Sequence, residues 1–78
     1  MSKADEMFEK LGYKIDINIE HGLIRYNKQN KYFIRFLIIN KTIETNSIID
    51  NEIYELSVDM ELLQVINEKC KELGWLDE

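Results

Sequence analysis

Apolar side chains recur along this chain with two different periods, and the change between them divides it into helix, sheet and helix. Near the start, Ala4, Met7, Phe8 and Leu11 fall at i, i+3, i+4 and i+7, one face of an α-helix. Ser2 stands where a helix cap is expected. Gly12 stands where a helix stops, because a residue without Cβ takes the left-handed C′ conformation without a clash. That stop pairs Phe8 with Tyr13, the apolar contact that accompanies a Schellman motif. The same pattern returns at the other end: FEKLGYKI and CKELGWLDE both run from charged residues into Leu-Gly-aromatic. The second copy predicts a helix that begins near Ser57 or Val58 and closes at Gly74, with Cys70 and Trp75 as its matching pair. Leu62, Val65, Ile66, the Lys69 stem, Cys70 and Leu73 form its inner stripe, and Asp59 and Glu61 fall in the first turn, where the helix dipole favours them. The repeat is two helix stops of one design, not a duplicated domain.

Between the helices the period drops to two. KIDINI alternates Ile15, Ile17 and Ile19 with Asp16 and Asn18, and LIRYNK, KYFIRFLIIN and KTIETN follow. A two-residue loop at His21-Gly22, with His21 tolerating positive φ, sets Ile19 opposite Ile24 and Ile17 opposite Tyr26. A three-residue loop over 28–30, with Asn30 left-handed, and a two-residue turn at Asn40-Lys41 keep the alternation in phase and bring Ile43 opposite Ile38. The expected sheet is an antiparallel meander of three to four strands, the fourth around 42–47. Its inner face carries Ile15, Ile17, Ile19, Ile24, Tyr26, Ile34, Phe36, Ile38 and Ile43. Residues 47–56 read equally as loop or as a further short strand at 53–56. The expected architecture is one α+β domain over residues 1–78, two-layered, with an N-terminal helix, the meander and a C-terminal helix.

The opposite sheet face holds Leu23, Arg25, Phe33, Arg35, Leu37, Ile39 and Glu44, neither fully polar nor a core. Left open, it is a candidate interaction face, since aromatic residues and arginine dominate interface energetics. Phe33, Arg25, Arg35 and Leu37 would be its centre. The N-terminal helix or segment 47–56 would close it by folding across.

At 45% hydrophobic and 32% charged, with no proline and three glycines, the chain reads as globular and free of low-complexity linkers. Its longest apolar run, 36–39, falls far short of a membrane span, and the charged opening MSKADEMFEK carries no expected secretory signal. A single cysteine, Cys70, suits a reducing compartment, so a cytoplasmic location is expected. The net charge of −5 is unevenly spread. Residues 13–42 carry six basic side chains against Asp16 and Glu20, whereas residues 43–61 carry six acids and no base. Asp50, Glu52, Glu55, Asp59 and Glu61 in that second stretch form an alternative site, an acidic rim able to mimic nucleic acid before a basic groove.

KADEMFEKLGYKI, NKTIE and INEKCKELGWLDE together resemble small uncharacterised proteins of phages and prophages from low-GC Gram-positive bacteria. The resemblance covers about half the chain, mostly its ends, and implies a mobile-element origin and a host cytoplasm. It implies no activity and transfers no site residue.

Chemistry finds little support. The only histidine, His21, lies in an expected turn far from Cys70, so a Cys–His nucleophilic pair is not expected, nor is an enzyme of another kind. No ligand spacing of the CxxC or HxxxH type occurs, so neither a metal nor a cofactor is expected. The favoured expectation is a non-enzymatic protein-interaction module that binds a host protein, with self-association into a homodimer as a variant. Single-stranded nucleic acid is the alternative, through Arg25, Lys28, Lys31 and Arg35 interleaved with Tyr32 and Phe33, against a pI of about 4.8.

Overall fold

The computed structural model describes residues 2–18 and 22–76. Its elements are α1 (Lys3–Lys10), β1 (Lys14–Asn18), β2 (Leu23–Lys28), β3 (Tyr32–Leu37), β4 (Thr42–Ile49), β5 (Glu52–Glu55) and α2 (Met60–Glu72). The five strands form one antiparallel meander in the order β1-β2-β3-β4-β5. The α+β arrangement of helix, meander and helix stands, with the sheet extended to five strands.

Both helix stops form as the repeated pattern predicts. Ser2 Oγ accepts from the Asp5 amide at 3.0 Å. At the far end of α1, Gly12 takes φ 93° and the Tyr13 amide donates to the Phe8 carbonyl at 3.0 Å. Gly74 repeats this at φ 75°, with the Trp75 amide donating to the Cys70 carbonyl at 2.9 Å. The start of α2 differs from expectation. Asp59 is the cap itself, accepting from the Leu62 amide at 2.8 Å, so the helix opens at Met60 and not near Ser57.

The hairpin registers also differ, all three by two residues. Ile17 pairs with Ile24 and Ile15 with Tyr26, where Ile17 opposite Tyr26 was expected. Ile19 and His21, which the expected two-residue loop involves, lie outside the described residues. Lys28 pairs with Tyr32 around 29–31, with Gln29 and Asn30 both left-handed and the Asn30 amide donating to Asn27 Oδ1 at 2.9 Å. Ile43 pairs with Phe36, not Ile38, because 38–41 make the turn, closed by a left-handed Lys41. A shift of two leaves every side chain that remains in a strand on its expected face, since the strand period is two. The fifth strand comes from Asp50 and Asn51, both at positive φ, which form a tight two-residue connection between Ile49 and Glu52.

The core lies under the middle of the sheet. Phe8 stacks on Tyr26 with centroids 3.8 Å apart, and both meet Phe36 edge-on. Leu62, Val65, Ile66 and Cys70 of α2 pack with Ile34, and Trp75 closes over Phe36 at 6.1 Å. Both helices therefore cover one and the same sheet face. The inner face is narrower than its alternation suggests, because two short helices shelter only its centre. Ile15, Ile17, Ile38 and Ile43 remain exposed at its margins.

A polar knot fastens the layers. Tyr26 Oη donates to Asp5 Oδ1, Lys69 Nζ lies 3.5 Å from the same carboxylate, and Glu72 Oε2 accepts from the Ala4 amide at 2.8 Å. It joins α1, α2 and β2 through buried or half-buried groups.

Candidate functional site

Among the described residues nothing covers the face turned away from the helices, because residues 47–56 complete β4 and β5 and α1 packs elsewhere. Four strands contribute one level row across it: Asp16, Arg25, Arg35 and Glu44, each opposite the next in register. Two arginines directly opposite each other repel, so they need local compensation. Arg25 Nη2 reaches Asp16 Oδ2 at 2.5 Å, and Arg35 Nη1 donates to Asn46 Oδ1 at 2.5 Å. Both guanidinium carbons also sit 5.4 Å from the centroid of the Phe33 ring.

That arrangement corrects one expectation. Phe33 is on the uncovered face but only 7% exposed, buried by its neighbours on the sheet and not by a helix. It supports the arginines more than it meets solvent. Leu23 and Leu37, opposite each other and half-buried, flank the row. Ile39 leaves the strand for the turn, 87% exposed, and lies against Gly22, where an added Cβ would sit 3.8 Å from Ile39 Cγ1. Leu23, Arg25, Phe33, Arg35, Leu37 and Glu44 thus share one surface, with Ile39 at its lip. Sequence reasoning missed Asn46, Ile48 and Ile53 on this face. The alternation of TNSII and the Asp-Asn turn signal that follows it were sufficient to find them.

The acidic rim divides in two. Asp59 caps α2 and Glu61 stands in its first turn, both beside a shallow groove of about 260 Å³ lined also by Tyr13, Lys28 and Tyr32. Asp50 sits in the β4–β5 turn, and Glu52 and Glu55 belong to β5. Glu52 Oε2 accepts from Tyr54 Oη at 2.6 Å.

Cys70 is a buried free thiol whose pKa burial pushes up, the opposite of an activated nucleophile. His21 lies outside the described residues. Among the described residues no three His, Cys, Asp or Glu side chains converge as a metal site would require, and no helix is long and apolar enough to cross a membrane. No family model, curated protein or solved structure matches the chain.

Proposed function

We propose that the chain is a non-enzymatic protein-interaction module of phage or prophage origin, which binds a host protein in the cytoplasm and occludes its working surface. One observation carries this: both helices spend their apolar stripes on the same sheet face, leaving the face of Leu23, Arg25, Arg35 and Leu37 uncovered. A mixed apolar and arginine surface of this kind has the composition of an interface centre. The likeness of the two chain ends to phage and prophage proteins supports the origin.

The same geometry favours a protein over single-stranded nucleic acid. Tyr32 and Phe33 are neighbours on one strand, so they point to opposite faces and cannot form one stacking platform. Phe33 is buried beneath the two guanidinium groups, and Arg25 is already paired with Asp16. Capture from host lysate by the tagged chain, with and without nuclease, separates the two. A discrete protein partner should survive nuclease treatment. Partners that disappear with nuclease, and an Arg25→Ala/Arg35→Ala variant that flattens the salt dependence of single-strand binding, would overturn the protein reading.

A further inference from the structure

A second surface has a different character. β5 is hydrogen-bonded to β4 on one side only, and its other side is a sheet edge. All four of its residues are exposed, with Ile53 at 72% and Tyr54 at 47%. Sheet edges present unpaired amide and carbonyl groups that invite another strand, and proteins ordinarily block them with lysine, proline, a bulge or a covering loop. β5 has no lysine and no proline, and its register with β4 runs without a bulge. Its charges are all negative: Glu52 and Glu55 on the strand and Asp50 in the turn before it.

An edge guarded by carboxylates alone is selective, not closed. Two copies pairing through β5 would crowd Asp50, Glu52 and Glu55 of both chains into one short ladder, which like-charge repulsion opposes. A strand of opposite charge meets no such barrier. The side-chain directions define it further. Ile53 pairs with Ile48 on the uncovered face, so an apolar residue placed opposite Ile53 would continue that row. Glu52 and Tyr54 project to the helix side, the tyrosine hydroxyl holding the carboxylate in place.

We propose that the outer edge of β5 accepts an added strand from a basic, extended segment of a partner protein, with lysine or arginine opposite Glu52 and Glu55 and an apolar side chain opposite Ile53. Backbone pairing supplies the register-independent part of the affinity, and the alternate side chains supply its choice of partner. The proposal rests on the interaction-module reading and gives the partner a chemical class. It uses a surface separate from the centre of the uncovered face.

The test is an NMR titration of the full chain with a capped eight-residue peptide, Lys-Val-Val-Lys-Val-Val-Lys-Val, whose lysines three apart can stand opposite Glu52 and Glu55 while a valine stands opposite Ile53. Saturable shifts confined to the amides of Glu52–Glu55 and their neighbours in β4 are expected. The same peptide with a central valine replaced by proline keeps its charge but cannot complete the ladder, and should bind at least about tenfold more weakly. Glu52→Lys with Glu55→Lys, both at exposed positions, should abolish binding while the circular dichroism spectrum is unchanged. Equal binding of the two peptides would reduce the effect to bulk charge and overturn the proposal. So would shifts centred on Arg25 and Arg35, or no saturable binding. If the peptide fails while a host partner is still captured through Leu37 and Ile39, the edge proposal alone falls. Failure of both removes the interaction module as well.

Discussion

Phe8→Ala should leave the chain largely unfolded at 25 °C. Phe8 is the one side chain of α1 that reaches the centre of the sheet: it has no exposed surface, stacks on Tyr26 at 3.8 Å, and meets Tyr13 and Phe36 edge-on at 5.8 and 6.3 Å. Truncating a buried phenylalanine costs roughly 3–5 kcal/mol, through lost transfer energy and the cavity left behind. A single core in a domain this small supplies little more than about 3–5 kcal/mol of net stability. The two magnitudes meet, so the loss is global and not local. Urea titration followed by tryptophan fluorescence reads it through Trp75, which closes over Phe36 in the native state. Phe8→Leu, which keeps most of the volume, should cost no more than about 1.5 kcal/mol and remain folded. A Phe8→Ala protein that unfolds within about 1 kcal/mol of the parent chain would mean that α1 is not docked as described.

Asp5→Ala should be the most damaging polar substitution, at about 2–4 kcal/mol. The carboxylate receives Tyr26 Oη and faces Lys69 Nζ, and both partners are buried. Removing it strands a hydroxyl and an ammonium group in the interior, where Lys69 keeps Glu72 at 3.8 Å and the Tyr26 ring face at 5.9 Å. Tyr26→Phe leaves the charges paired and should cost less, roughly 1–2 kcal/mol. The knot also contributes to the pH dependence of the fold. Burial alone would raise the Asp5 pKa, but the Tyr26 hydroxyl, then Lys69, bring it below the ordinary 3.8. A depressed carboxyl pKa stabilises the fold above 3.8, and that contribution is lost as pH falls through the native value. Tyr26 works in the opposite direction. Burial first, then the hydrogen bond to Asp5, raise its pKa above 10, so its contribution is complete below pH 10 and is lost as pH rises further. Urea midpoints across pH should therefore decline at both ends. In Tyr26→Phe the alkaline decline should shrink; an unchanged alkaline limb would show that the buried hydroxyl plays no part in it.

The fold was legible wherever the sequence carries its own punctuation. Ser2, Gly12 and Gly74 mark helix ends by local chemistry, and each does what its position predicts. The sheet face of each residue was equally readable, because Ile34 or Phe36 on the wrong side would expose a whole alternating set. Register was not readable. Hairpin loops that differ by two residues satisfy the same alternation, and all three hairpins settled two residues from the expected pairing. Turn chemistry distinguishes them: Gln29 accepts positive φ beside Asn30, and Asp50-Asn51 forms a turn without any glycine. The candidate face was legible as a set of residues but not as a surface. Alternation places Phe33 outward, yet its burial depends on Arg25 arriving from the neighbouring strand and Arg35 folding back over it. Whether that face is covered depends on where two helices dock, which no local pattern in either helix specifies.

The most direct test of the central claim is quantitative capture of the nuclease-resistant host partner by the parent chain and by Leu37→Glu and Ile39→Glu variants. Ile39 projects from a turn at 87% exposure and should be replaceable without loss of fold, so it controls for any destabilisation at half-buried Leu37. With both variants folded by circular dichroism, the uncovered sheet face predicts that each loses partner binding by at least about tenfold. Undiminished capture of the same partner by both folded variants would contradict it.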